Sequence, residues 1–417
     1  MSVPGPGGPG GPGGSGGPGG PGGPGGFSPP PYPYERLSTL GSLGAAHEGG
    51  LVDLSVGTPS DPPPAAVVGA LATSGSERGY PPSVGSLELR EAACGWMERR
   101  FGIPVRADQV AACVGTKEMV ASTAGYLRLR DPTRDTVLCP TPAYPTYAMS
   151  ALLAGCRAVE VGALPGGGID LAAIAPSEAG RALMLWVNSP SNPTGALSDL
   201  AEAAAWGRHH GVPVFSDECY AEFTWSGTPR SILEHGTDGV VAVHSLSKRS
   251  NLAGIRVGFY AGDPGLVGYL SEVRKHAGLM VPGPVQAAGA VALSDDSHVI
   301  DQRARYLGRL ERLASALGVA GVPVTLPEGG FYLWVPVPPE VSTAAHSTSA
   351  RSGSAGGESP SWRFARTLAS RAGVLVSPGE FYGSAGEGFV RIAAVAPDDR
   401  IEMVAGRIAA LGQGWMV

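Results

Sequence analysis

The sequence predicts an α/β fold built on a mostly parallel sheet, and two observations lead there. Short runs rich in Val, Ala and Leu ("QVAACV", "TVLCP", "RAVEV", "ALMLWV", "VPVFSD", "GVVAVHS") lack polar alternation, as strands buried on both faces do. Helical stretches such as "LSDLAEAAAWGRHHG" separate several of them, which is the rhythm of strand–helix–strand units. In such sheets ligands sit beyond the carboxyl ends of the strands. Polar residues that directly follow the apolar runs are therefore the first candidates for chemistry.

With 417 residues and 43% hydrophobic positions the chain can bury a large core. Beyond roughly 250–300 residues one core normally gives way to more than one domain. Thirty Lys+Arg against 36 Asp+Glu give a net charge of −6, and no basic stretch suggests a groove for nucleic acid. Small molecules are the expected partners. The five cysteines (Cys94, Cys113, Cys139, Cys156, Cys219) form no C-x-x-C pair, so neither a metal knuckle nor a redox pair is expected, and reduced thiols point to the cytoplasm. No charged-then-apolar leader and no run of about 18 apolar residues is present, so no membrane partner is expected.

Taken in order, the chain opens on Gly-Gly-Pro triplets from Gly7 to Gly25, read as a solvated flexible tail over residues 1–28 rather than a collagen strand. "QVAACV" then leads into "GTKEMVASTAGYLRLR", a glycine turn and a helix start that places Thr116 where backbone N–H groups are free to bind a phosphate. "ALMLWV" leads into "NSPSNPTG", a double-proline turn holding Asn192. "VPVFS" ends in "DECY", which delivers Asp217 and Tyr220, and "GVVAV" ends in "HSLSK", which delivers Ser245, Ser247 and Lys248. Singly, each has a plain explanation: a turn, a helix cap, a solvated lysine. Their occurrence together, each at the end of an apolar run, does not. Near the C-terminus "STAAHSTSARSGSAGGESPS" (342–361) reads as a disordered insertion between strand-like "GGFYLWVPV" and helix-like "WRFARTLASRAG". "EGFVRIAAV" sets Arg391 among apolar neighbours, where an unpaired guanidinium is costly and calls for an anion.

"SLSKRSNLAGIRVGF", "NSPSNPTG" and "SDECY" together resemble the class I/II aminotransferases of the pyridoxal phosphate fold-type I superfamily, over about residues 30–417. The resemblance implies a seven-stranded, mostly parallel sheet between helices in a large domain (66–294). It also implies a small α+β domain built from both chain ends (29–65 and 295–417). Pyridoxal 5'-phosphate is the implied cofactor, and Lys248 would hold its aldehyde as a Schiff base. Asp217 would pair with the protonated pyridine nitrogen, while Tyr220 and Asn192 would hydrogen-bond the phenolic oxygen. Ser245, Ser247, Arg256, Gly115, Thr116 and Lys117 would surround the phosphate, and Tyr144 in "PTPAYPTY" would stack on the ring. Arg391 would fork the substrate α-carboxylate with help from Gly57 and Asn192. Tyr80 in "RGYPPSVG" would reach the phosphate in a neighbouring subunit, which implies a homodimer with shared sites.

Those residue types suit the chemistry. An ionised carboxylate keeps the pyridinium protonated, lysine is a nucleophile only when its pKa is depressed, and an arginine fork matches a carboxylate. "HSLSKRSNLAGIRVGF" looks most like the N-succinyldiaminopimelate aminotransferase branch, which exchanges the amino group of N-succinyl-LL-2,6-diaminopimelate with 2-oxoglutarate in lysine biosynthesis. Open alternatives are an aspartate, alanine or aromatic 2-oxoglutarate aminotransferase, and a carbon–sulfur lyase on the same scaffold. A transcription regulator with an aminotransferase-like domain would need a DNA-binding module where this chain has its Gly/Pro tail.

Overall fold

Twelve strands are present among residues 27–343 and 358–415, the residues described by a computed structural model of the chain. Of the expected tail, 1–26 lies outside them. Of the expected insertion at 342–361, residues 344–357 lie outside them, and its two ends are not loop. Ser342 and Thr343 close a short helix, Pro339–Thr343, and Pro360 opens the helix Pro360–Ala372. Proline at a first helical position has a preset φ and gives up only an N–H that would be unpaired there anyway.

β1 (Val52–Asp53) precedes seven strands that form one sheet: β2 (Val110–Cys113), β3 (Thr136–Pro140), β4 (Arg157–Val161), β5 (Ala182–Asn188), β6 (Val214–Asp217), β7 (Val240–Ser245) and β8 (Gly258–Gly262). Their order is β2-β8-β7-β6-β5-β3-β4, parallel throughout except for β8, which runs antiparallel to both of its neighbours. β8 is the strand the sequence hides. "GFYAG" is short, bracketed by glycines, and reads as the tail of the loop after Lys248.

Alternation explains the two covered faces. Val214, Val240 and Ala242 pack with Leu89, Trp96 and Leu293 on one side. Phe215, Val241 and Val243 pack with Met119, Tyr147 and Leu270 on the other. Each fully buried Val or Leu contributes about 1.5–3 kcal/mol relative to exposure. "RAVEV" departs from the expected double burial: β4 is the sheet's edge strand, and only Val161 in it is fully buried.

The C-terminal strands are β9 (Tyr332–Pro336), β10 (Val374–Leu375), β11 (Ser377–Pro378) and β12 (Phe389–Ala393). β12 lies between β11 and β9 in an antiparallel sheet, with Arg391 opposite Ser377 and Trp334. Both chain ends meet here, because β1 pairs in parallel with β10 and the helix Ser38–Ala45 packs on Pro360–Ala372. Leu54, Leu313, Phe364, Val390 and Ile401 fill the third core cluster. Among the described residues no helix is long and apolar enough to cross a membrane.

Candidate functional site

The parallel strands deliver their polar residues to one place. Asn188 at the end of β5 stands in register with Asp217 at the end of β6, which stands beside Val243 in β7, two residues before Ser245. A cavity of about 620 Å³ opens there. Lys248, Asp217, Tyr220, Asn192, Thr116, Lys117, Tyr144, Ser245, Ser247, Arg256, Gly57 and Arg391 all line it. Gly115 sits just behind, against Arg256. Tyr80 is not brought to this cavity and is 98% exposed.

Lys248 rises from a single helical turn, Leu246–Arg249, directly after β7, and its amine donates to the Gly57 carbonyl. Desolvation there brings the amine down to about 8. Asp217 is buried. Its carboxylate accepts from the Tyr147 hydroxyl at 2.8 Å and from the Cys219 backbone N–H at 3.1 Å. Burial nevertheless raises its pKa, against the pull of those two bonds. Among the described residues it forms no ion pair within 4.0 Å, so the position suits a cationic ring nitrogen.

A web of hydroxyls and amides braces these groups. The Asn188 amide donates to the Asp217 carbonyl at 2.8 Å, and the Asn188 side-chain oxygen accepts from the Asn192 N–H at 2.7 Å. Tyr220 and Tyr332 share a hydroxyl contact at 2.9 Å. A Cβ on Gly57 would lie 1.9 Å from the Tyr332 hydroxyl, so only glycine lets that loop approach. Sequence reasoning missed Tyr147, Asn188, Tyr332 and Tyr34. Two signals were available: "YPTY" carries a second tyrosine three residues after Tyr144, and in "GGFYLWVPV" strand alternation turns Tyr332 toward the site. Tyr34 had none, because its part depends on folding the N-terminal segment back over Arg391.

Two ends of the cavity suit anions. At one, the helix Thr116–Arg130 starts with no side-chain cap, leaving backbone N–H groups beside Ser245, Ser247 and Arg256. Gly115 has φ +74°, and a Cβ on it would lie 2.3 Å from the Arg256 guanidinium. The Lys117 ammonium donates to the Tyr32 hydroxyl at 2.9 Å.

At the other end Arg391 is 1% exposed. It donates to Asn192 Oδ1 at 2.8 Å, the Ser55 carbonyl at 2.6 Å and the Tyr34 hydroxyl at 3.2 Å, and its Nε has no partner. Among the described residues no carboxylate pairs with it, which argues against a structural salt bridge and for a ligand carboxylate. Four cationic side chains (Lys117, Lys248, Arg256, Arg391) thus face one acid, Asp217. These residues fit a phosphorylated aromatic cofactor together with a carboxylate substrate. Among the described residues no group of three or more His, Cys, Asp or Glu could hold a metal ion.

Comparison with known proteins agrees with this arrangement. The family model "Aminotransferase class I and II" matches residues 50–408. The chain is 43% identical over 389 residues to the 4-dedimethylamino-4-oxo-anhydrotetracycline transaminase OxyQ of Streptomyces rimosus, covering 91% of this chain and 99% of that one. It is 32% identical over 395 residues to an LL-diaminopimelate aminotransferase of Dehalococcoides mccartyi, covering 91% and 96%. Among solved structures it is similar to an aminotransferase from Neisseria meningitidis, with a TM-score of 0.81 at 30% identity over 92% of this chain and 98% of that one. It is also similar to a probable N-succinyldiaminopimelate aminotransferase from Thermus thermophilus, with a TM-score of 0.77 at 29% identity over 90% and 99%.

Proposed function

The chain belongs to the class I and II aminotransferases, which use pyridoxal phosphate, and on that premise we propose that it moves an amino group between N-succinyl-LL-2,6-diaminopimelate and 2-oxoglutarate. The observation that carries the reading is the charge of the cavity. Of the four cations that face one buried acid, Lys117 and Arg256 suit a cofactor phosphate and Arg391 a donor carboxylate. Likeness to the probable N-succinyldiaminopimelate aminotransferase and to LL-diaminopimelate aminotransferases supports the diaminopimelate skeleton.

Bound in the cavity, pyridoxal phosphate supplies an electron sink that stabilises a carbanion at the donor α-carbon. This chain's residues do the rest. The uncapped helix start at Thr116 and Lys117, with Ser245, Ser247 and Arg256, holds the phosphate. Asp217 would keep the ring nitrogen protonated, Tyr220 and Asn192 would hydrogen-bond the phenolic oxygen, and Tyr144 would stack on the ring. Arg391 clamps the donor carboxylate, which fixes the α-carbon near the Lys248 amine. That amine then takes and returns the proton. The division into 29–65, 66–294 and 295–417 belongs to the same reading, supported by the separate core around β12. So does a cytoplasmic homodimer in which Tyr80 serves the partner's cavity, supported by its exposure away from its own.

Arg391→Lys is expected to weaken all amino donors together, because a point charge replaces a two-pronged fork. The cost is on the order of 1.5–3 kcal/mol for a charged hydrogen bond lost. Steady-state kcat/KM for three unrelated donors checks it, and a loss confined to one donor would show that Arg391 reads the side chain instead.

The substrate is tested by an amino-donor screen with 2-oxoglutarate as acceptor. N-succinyl-LL-diaminopimelate should exceed aspartate, alanine and phenylalanine in kcat/KM, because remote contacts raise kcat as well as lower KM. A profile in which aspartate or phenylalanine wins by roughly tenfold, about 1.4 kcal/mol, overturns the donor and leaves the reaction class untouched. The 43% identity to OxyQ favours a second reading, in which the acceptor is a ring ketone like that in OxyQ's name. An anhydrotetracycline ketone in the acceptor panel tests it.

A further inference from the structure

Lys248 is followed by an arginine that the mechanism above does not use. Arg249 is 3% exposed and ends the same helical turn that carries Lys248. Its Nε donates to Glu222 at 3.1 Å. One terminal nitrogen donates to the Ala292 carbonyl at 2.5 Å and the Ser250 hydroxyl at 3.1 Å. The other donates to the Asp295 carbonyl at 3.1 Å and the Asp296 carboxylate at 2.5 Å. Glu222 is itself buried, two residues after Tyr220, and accepts from the Trp96 indole at 2.8 Å and from Arg100 at 2.9 Å.

The acceptors come from three places. Glu222 belongs to the turn after β6, which carries Tyr220. Ser250 belongs to the turn after β7. Ala292, in the last turn of the helix Gly283–Ser294, and Asp295 and Asp296, at its junction with the helix Ser297–Val319, make the third. The second of these helices packs against Asp398–Ala410. Its Leu310, Leu313 and Leu317 share a core cluster with Val390 and Ile392, the residues on either side of Arg391. One guanidinium thus links the turn that bears Lys248 to the unit that bears Arg391.

We propose that Arg249 is a positioning residue that sets the spacing between the Lys248 amine and the Arg391 fork, and with it the geometry of proton transfer at the donor α-carbon. The proposal rests on the roles given above to Lys248 and Arg391. A planar fork can satisfy acceptors on three elements at once, and an ammonium cannot span them. Loosening the clamp leaves the carboxylate contact of Arg391 intact, so binding survives while the transfer distance drifts. A purely stabilising role would change only the melting temperature.

The test compares Arg249→Lys and Asp296→Asn with wild type. The second change lies at the rim, where the Asp296 side chain is 28% exposed, and it retains a folded protein if the first does not. The first measurement is the half-reaction of the cofactor-loaded enzyme with L-glutamate, the amino form of the acceptor, and with its α-deuterated form. The rate is expected to fall roughly 10- to 100-fold in Arg249→Lys, and less in Asp296→Asn. The half-saturating glutamate concentration should stay near that of wild type, and the deuterium effect should grow because proton transfer becomes slower.

The second measurement is amide hydrogen exchange in the cofactor-free protein. It should rise together at 246–250 and 295–302. An unchanged deuterium effect with only a lower melting temperature overturns the proposal, and so does exchange that rises in one segment alone. A Lys248→Ala enzyme that still turned over would remove the role of Lys248, while the exchange experiment would still decide whether the two segments are coupled.

Discussion

Lys248→Ala is expected to bind pyridoxal phosphate and to lose transamination by more than roughly 10⁴-fold, since both the covalent attachment and the proton carrier go with the amine. Binding is expected to survive because, on this reading, the phosphate would be held elsewhere, by the uncapped helix start at Thr116 and by Ser245, Ser247 and Arg256, which line the cavity. Burial also readies the amine for its part. With a pKa of about 8, roughly a tenth of the amine is neutral at pH 7, against a few parts in ten thousand at the ordinary lysine value. No other amine is placed to replace it: the chain's remaining lysines are Lys117 and Lys275. Lys117 donates to Tyr32 at the cavity wall, and Lys275 lies exposed beside Glu272 at 3.6 Å. Absorbance titration with the cofactor, followed by turnover with glutamate, checks the result. Wild-type turnover in this variant would remove Lys248 from the mechanism.

Asp217→Asn is expected to fold and bind cofactor yet lose kcat by between about 10² and 10⁴-fold, because breaking a buried charge pair costs about 3–5 kcal/mol. In the free protein, burial raises the carboxyl's pKa, and hydrogen bonds from Cys219 and the Tyr147 hydroxyl, with the Lys248 charge, offset it only in part. A cationic ring nitrogen paired with it would pull the pKa back down and would itself be kept protonated, which is the mutual stabilisation that an amide cannot provide. The Asn side chain can still accept from Cys219, so the turn after β6 has little reason to move. A melting temperature near wild type with a large fall in kcat is the expected pair of readings. A near-normal rate would mean that the wrong acid faces the ring.

Much of this was legible in the sequence because the chemistry sits where strands end. β2, β5, β6 and β7 begin and end within two residues of their apolar runs, so Thr116, Asn192, Asp217, Ser245 and Lys248 could be placed at strand exits before any coordinates. Arg391 was legible for a different reason: a guanidinium between Val390 and Ile392 has to find an anion, and no protein carboxylate among the described residues meets it. What was hidden depends on contacts between distant segments. β8 is disguised by its glycines. Tyr34 reaches Arg391 only after the N-terminal segment folds back across the cavity. Tyr332 faces Tyr220 across 112 positions of sequence. Arg249 reads as a surface cation beside Lys248, and only the packing of two distant helix ends around it shows that it is buried.

The central claim is that one lysine carries the cofactor, and the chain's small lysine content makes that claim directly testable. Borohydride fixes pyridoxal phosphate to whichever lysine holds it, and peptide mass spectrometry then reads the position. The account predicts the label on Lys248, in the peptide containing "SLSKRSN", and on neither Lys117 nor Lys275. A label on Lys117, which lines the same cavity, or no label on a protein that has bound the cofactor, would contradict it.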